Sequence, residues 1–270
     1  MTGAEAEPLR VMSYNVRYAS LDQGPRAWAN RRDGVAATVR LHRPDVLCLQ
    51  EVWQDQLPDL RERLPGYEWA AERHWGGEHT PVGYRPERLA ADSSGTFALA
   101  PDPTAVGEVG WDASVPRIAT EVSFRDRATG EAFDLCNVHF DHEGTVARRE
   151  SARLVRERFA GGAALLVGDL NARPASAPYR SLVETPGPFR DARLAADTRV
   201  GPGETYVGFD GEAVEEGTDR DPTRDRRIDY VLIRGFAADL YAVATGADAT
   251  WRHPSDHLPV VADLSASGDG

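Results

Sequence analysis

Six short apolar runs in this sequence each carry a polar, chemistry-bearing residue at one end or within, and no other feature restricts the fold so tightly. Five of them end or begin at SYN (13–15), LQE (49–51), NVHFDH (137–142), GDLN (168–171) and SDHLPV (255–260); the sixth holds an acid inside RRIDYVL (226–232). Runs of this length bounded by Gly, Pro and Asp read as strands. A carboxylate at the tip of a buried strand is costly unless a cation or hydrogen-bond donors replace its hydration. One such tip is a cap or a turn. Six exceed what turn chemistry needs, and the groups they offer are Asn15, Glu51, His139, Asp169, Asn171, Asp229, Asp256 and His257. Carboxylate and amide oxygens suit Mg2+ or Mn2+, while imidazoles and amides donate to phosphoryl oxygens. The absence of a CxxC or His-rich cluster argues against a closed zinc site.

Around these runs, strand and helix signals alternate without a repeat. LRVMSYNV (9–16) and PDVLCLQEV (44–52) read as buried strands flanking a helix, AWANRRDGVAATVRLH (27–42), in which Trp28, Val35, Val39 and His42 approximate one face. A second helix is expected through QDQLPDLRERL (54–64), and a third over TVARRESARLVRERFA (145–160) with Val146, Leu154, Val155 and Phe159 near one stripe. PVGYRPERL (81–89), SSGTFAL (93–99), RIATEVSF (117–124) and EAFDLCNVHF (131–140) are shorter strands separated by turn residues, as in antiparallel hairpins. AALLVGDL (163–170), RRIDYVLI (226–233) and HLPVVADL (257–264) supply later strands. The mixture is too antiparallel for a doubly wound sheet and suits two packed sheets with helices outside. A single domain is expected over 9–265, with short tails at 1–8 and 266–270.

Charge narrows the partners. The net charge is −12, and all 31 basic residues are arginine, with no lysine in the chain. A nonspecific duplex binder gains affinity by neutralising phosphates with a basic face, so the acidic balance disfavours extended duplex DNA as a partner. The first ten residues have neither a basic n-region nor an apolar h-region, and no apolar stretch approaches the roughly 18 residues that span a bilayer. The expectation is a cytoplasmic monomer without membrane contact. Cys48 and Cys136 sit in strand-like runs and read as buried thiols rather than a bridge.

Taken in order, the polar-tipped segments resemble the endonuclease/exonuclease/phosphatase superfamily, from SYNVR near residue 13 to SDHLPV ending at 260. Within it, GWDASVPRIAT, NVHFDHEGTVARRESARL, and ETYVGFDG followed by RRIDYVL resemble the small stand-alone prokaryotic members. The resemblance implies an α/β (α+β) DNase I-like four-layer sandwich: two mixed β-sheets packed face to face, with helices on the outside. It also implies divalent-metal-dependent attack of water on a phosphoester. Members of the superfamily take DNA, RNA, phosphoinositides, sphingomyelin and other phosphoesters, so the substrate does not carry over.

Residue by residue, the resemblance implies Glu51 as the main ligand for Mg2+ (or Mn2+), helped by Asn15 and Asp256. Singly these read as a helix cap, a turn residue and an Asx turn; jointly they match one ordered pattern. Asp229 and His257 are expected to pair as acid and imidazole, Asp169 to face the attacking water, Asn171 to bind the phosphate, and His139 to hydrogen-bond a nonbridging oxygen. The sequence does not choose between Asp169 and His257, backed by Asp229, as the general base. Arg17 and Arg117 are candidate phosphate clamps on the rim, although most of the arginines must be solvated. Trp111 and Phe209 lie in Gly-rich contexts that suit either substrate-facing loops or a tuck onto the core, His142 is a candidate pocket residue, and Asp141 a loop-holding one. The run DRDPTRDRR (219–227) reads as a solvated loop. No DNA-gripping, lipid-binding or inositol-phosphatase-like insertion is evident. Small phosphoesters and single strands therefore lead, with an endonuclease cutting internal phosphodiesters and a catalytically inactive binding module as alternatives.

Overall fold

The computed structural model describes residues 7–53, 55–70, 76–184, 188–209, 226–246 and 252–267. Residues 219–225 of the mixed-charge run, 1–6 of the N-terminal tail and 268–270 of the C-terminal tail lie outside them. The expected first strand and helix form as β1 (Leu9–Asn15) and α1 (Trp28–His42), followed by β2 (Val46–Gln50) and α2 (Gln56–Arg63). On α1 the buried face is Trp28, Arg31, Val35, Ala36 and Val39, without the expected His42. PVGYRPERL is two strands rather than one. Pro86 sits in a turn closed by Arg88 N–H and Leu89 N–H on the Arg85 carbonyl, between β4 (Val82–Tyr84) and β5 (Leu89–Ala98).

The remaining strands are β3 (Glu68–Ala70), β6 (Ile118–Asp126), β7 (Ala132–His139), β8 (Ala164–Asp169), β9 (Arg190–Asp191), β10 (Thr198–Val200), β11 (Asp229–Arg234), β12 (Phe236–Val243) and β13 (Val260–Ala266). They pair into a seven-stranded sheet, β10-β12-β13-β1-β2-β4-β3, and a six-stranded sheet, β5-β6-β7-β8-β11-β9. Both are mixed, with β1∥β2 and β10∥β12 in one and β7∥β8 in the other. The Pro86 turn therefore carries the chain from one sheet to the other.

Strand alternation divides the apolar side chains into layers. Val11, Val46, Leu135, Val167 and Val231 meet between the sheets. Met12, Leu47 and Leu49 face outward onto Val35, Val39 and Leu60 of α1 and α2. Cys136, Leu166 and Leu232 face the other way, onto Ala152 and Val155 of α3 (Thr145–Arg158) and Tyr179 and Leu182 of α4 (Ala177–Val183). Each such Val or Leu contributes about 1.5–3 kcal/mol by leaving water. Helices thus cover both outer sheet faces, giving four layers. On α3 the buried stripe is Ala147, Ser151, Ala152 and Val155, whereas Val146 is exposed. Small residues there let the helix approach the sheet. Both cysteines are buried free thiols.

The two sheets are tied by buried polar groups near the strand tips. Gln50 Nε2 donates to Asn137 Oδ1 at 2.8 Å across the interface, and Asn137 Nδ2 donates to the carbonyls of Leu49 (2.8 Å) and Pro81 (3.1 Å). Both side chains are fully buried, so a slip of one sheet over the other would leave these amides unpaired.

Candidate active site

Register alone brings three of the polar tips side by side. His139 at the end of β7 pairs with Asp169 at the end of β8, and Asp169 pairs with Asp229 at the start of β11. Gly168 makes the β7–β8 approach possible: its φ is +135°, and a Cβ there would stand 2.0 Å from the Val138 carbonyl oxygen. In the facing sheet Asn15 ends β1 opposite Gln50, with Glu51 next in sequence. Asn15 Nδ2 closes the gap between sheets, donating to Glu51 Oε1 (3.0 Å) and to Asp169 Oδ2 (3.2 Å). The 255–257 loop joins through Ser255 Oγ, which donates to the Asn15 carbonyl at 2.7 Å.

Asp169 is the hub. Its Oδ1 accepts from Asn171 N–H (2.7 Å), while Oδ2 lies 3.6 Å from His139 Nε2 and 3.9 Å from His257 Nε2. Each imidazole is backed at Nδ1 by a carboxylate. His257 Nδ1 lies 2.9 Å from Asp229 Oδ2, and His139 Nδ1 meets Glu78 Oε1. Arg117 also touches His139 Nδ1 (2.9 Å) and Glu78 Oε2 (2.9 Å). A guanidinium can donate only to an unprotonated nitrogen, so with Nδ1–H given to Glu78 the bond that counts for Arg117 is the one to Glu78.

The electrostatics follow from burial and these pairings. Burial, then the neighbouring Asp229 charge, pushes Asp169 up to about 6. Burial opposes the His257 imidazolium, but Asp229, Asp169 and Asp256 outweigh it and raise its pKa to about 10. Burial and Arg117 likewise oppose His139, which Glu78 and Asp169 nonetheless raise. Glu51 is brought down to about 2: burial disfavours its charge, but the two imidazoles and hydrogen bonds from Asn15 and Tyr18 N–H prevail. Burial raises Asp256, whose Oδ2 lies 3.2 Å from Arg17 Nη1.

A sequence-wide comparison adds the decisive observation: the model of the Endonuclease/Exonuclease/phosphatase family matches residues 12–257. The chain belongs to that family. Its members are hydrolases of phosphoester bonds. A solved endonuclease/exonuclease/phosphatase from Bacteroides vulgatus is similar at 31% identity and a TM-score of 0.86, covering 97% of this chain and 100% of that one. The mannosyl-6-phosphatase of Bacteroides thetaiotaomicron is similar at 31% identity and 0.83, covering 95% and 99%. Nocturnin of Drosophila melanogaster is 23% identical over 319 residues, 96% of this chain and 47% of Nocturnin. The chain spans about half the length of the curated relatives it matches. Among the described residues, no helix is long and apolar enough to cross a membrane.

Within this family member, Asn15, Glu51, His139, Asp169, Asn171, Asp229, Asp256 and His257 are joined by contacts at one end of the sandwich. Arg17 adjoins them through Asp256. Arg117 is buried and its donors engage Glu78 and His142 Nδ1 (3.0 Å), so it is a wall of the site rather than a free clamp. His142 is half-exposed beside it. Asp141 holds the loop, accepting from Glu143 N–H, Gly144 N–H and Ser114, which keeps it ionised down to about 2 despite burial. Trp111 is half-buried next to Asp112, whose carboxylate accepts from Val146 and Ala147 N–H at the start of α3. Phe209 is buried, its ring centroid 5.1 Å from the Arg31 guanidinium carbon, in the wall of a cavity of about 230 Å³. Arg227, from the run expected to be solvated, is buried in an ion pair with Asp191 at 2.7 Å. The sequence reading missed Glu78, and it missed Thr205, whose Oγ1 accepts from Ile228 and Asp229 N–H (3.1 Å each).

Proposed function

We propose that the chain is a divalent-metal-dependent hydrolase of a small phosphoester or of the end of a short single strand. The observation that carries this reading is the pair of carboxylate–imidazole couples, Glu78–His139 and Asp229–His257, whose Nε2 atoms flank one oxygen of Asp169. The donor atoms of Asp169, Asp229 and His257 also lie within 4.8 Å of one another, yet the His257–Asp229 contact commits them to a proton. The hard carboxylate oxygens of Glu51, held ionised, and of Asp256 fit Mg2+ or Mn2+ better and would hold it, with Asn15 beside them, its Oδ1 accepting from Arg17 N–H (3.1 Å). When bound, the ion would supply Lewis-acid polarisation of a phosphoryl oxygen. Asp169 Oδ2 takes the proton of the attacking water, since His257 is kept protonated by Asp229 and has no lone pair to offer. His139 and His257 donate Nε2–H to oxygens gaining charge, and Asn171, one of whose Nδ2 protons goes to the Phe140 carbonyl (2.9 Å), has the second for the phosphate. Likeness to a mannosyl-6-phosphatase across 95% of the chain supports a small, sugar-like ester.

Chromogenic phosphomonoester and phosphodiester substrates assayed with Mg2+ or Mn2+, with and without EDTA, test the reading. Turnover that EDTA abolishes and metal restores is expected. No turnover across a broad panel of metals and esters would make the chain a binding module.

A further inference from the structure

Arg31 stands on the apolar stripe of α1, three residues after Trp28 and four before Val35, and is only 4% exposed. Among the described residues its guanidinium hydrogen-bonds no carboxylate. It donates instead to four backbone carbonyls: Nε to Arg26 (2.5 Å), Nη1 to Val16 and Pro254 (2.8 Å each), and Nη2 to Arg17 (3.2 Å). Burial depresses its pKa, and the carbonyls stand in for the water it has lost. Three of the four belong to loops bearing candidate metal ligands. Val16 and Arg17 follow Asn15 directly, and Pro254 stands two residues before Asp256.

Independent contacts point the same way. Arg17 has a φ of +60°, and in that conformation its N–H bonds Asn15 Oδ1 (3.1 Å) while its carbonyl faces Arg31. Gln56, on the first turn of α2 and fully buried, donates to the same Arg17 carbonyl (3.0 Å). Its Oε1 accepts from Ala19 N–H (3.1 Å) and from the N–H of Trp53 (2.9 Å), two residues past Glu51. Gly34, one turn after Arg31, lets Pro254 seat on α1: a Cβ there would lie 3.1 Å from Pro254 Cγ.

We infer that Arg31 and Gln56 are positioning residues that lock the loops carrying Asn15, Glu51 and Asp256 into one spacing, so that metal affinity is set from the two helices behind the site. The inference rests on the metal reading above. Neither side chain touches the reacting atoms; each acts through main-chain carbonyls and amides next to a ligand.

Calorimetric Mn2+ titrations, with thermal melts of the metal-free chain alongside, separate this role from plain packing. Arg31→Lys keeps the charge but cannot span four carbonyls, and Gln56→Leu keeps the bulk without the amide; each should weaken Mn2+ binding about 10- to 100-fold. Gly34→Ala discriminates best. Alanine's helix preference offsets part of the crowding in the melting temperature, whereas the methyl shifts Pro254 and Mn2+ affinity should fall by more than any loss of stability accounts for. Arg32→Met, next to Arg31 on α1, removes the Arg32–Asp59 pair (3.1 Å) between α1 and α2 but no contact to the ligand loops, and should leave Mn2+ affinity unchanged. If Arg31→Lys does not fold, Gln56→Leu and Gly34→Ala decide. Wild-type affinity in both of those variants would overturn the inference. Failure of the wild-type chain itself to bind Mn2+ would overturn the metal reading first, and this inference with it.

Discussion

Asp169 Oδ2 lies between two imidazole nitrogens, and the mechanism proposed above makes it the base because both imidazoles already hold their protons. That assignment has kinetic consequences. Glu51→Gln should lose metal affinity, so part of its lost rate should return at high Mg2+ or Mn2+. His257→Ala should lose about 10²–10⁴-fold in kcat that added metal does not restore. Equal rescue of both variants would show the roles to be misplaced. The pH profile is the second check. On the proposed mechanism Asp169 works deprotonated and His257 protonated, so kcat should rise through about 6 and fall through about 10, with a plateau between. Asp229→Asn removes the charge that sustains the imidazolium and should move the falling limb to lower pH; an unmoved limb would take the Asp229–His257 pair out of the mechanism. Most of these residues are legible in the sequence because each ends, begins or interrupts an apolar run. Glu78 is not. It lies in GGEHTP, with no apolar run before it, and reaches His139 only through tertiary approach, a contact that spacing along the chain does not encode.

Elements were readable where an apolar run is unbroken, as in β1, β2, β8 and the start of β13, and unreadable where a half-buried strand changes phase. The segment forming β12 buries Phe236 and Ala238 and then Tyr241 and Val243, because a register shift between Ala238 and Leu240 moves the inward phase by one residue. A period of two read straight through FAADLYAV therefore finds no strand. A similar shift between Ala91 and Ser93 hides the first half of β5, of which only SSGTFAL stands out. One element carries a sharp prediction. Gly168 lets β8 run against β7 and deliver Asp169 beside His139; Gly168→Ala combines a clash with the Val138 carbonyl and a positive φ unfavourable to alanine. Overpacking of this kind should cost at least about 1–3 kcal/mol of unfolding free energy. Activity should fall further than the folded fraction, because the strand tip moves even in molecules that fold. Denaturant titration beside kcat measures both, and a Gly168→Ala enzyme with wild-type stability would show that the approach of β7 and β8 is not as tight as drawn.

At the scale of the whole molecule, net charge bears on the substrate proposed for the site. A net charge of −12 disfavours long-range attraction of a polyanion, and some of the basic residues are buried in the fold, as Arg31, Arg117 and Arg227 are. On the proposed mechanism, chemistry at one phosphate needs the candidate metal ligands with Asp169, His139, His257 and Asn171, and no extended basic path. A small phosphoester, with sugar phosphates and nucleotide esters to be compared, or the end of a short single strand, should therefore be turned over in preference to internal sites of duplex DNA. Salt separates the two. Duplex binding that neutralises several phosphates weakens with a log–log slope of about −0.9 per phosphate contact, whereas a one-phosphate substrate should give a shallow dependence of kcat/KM on salt. A panel of sugar phosphates, nucleotide esters, single-stranded oligonucleotides and supercoiled plasmid, each run from low to high salt, measures both preference and slope. Efficient plasmid nicking at low enzyme concentration, with a slope equivalent to several phosphates, would sink the small-substrate reading and make the chain an endonuclease whose basic path the net charge conceals.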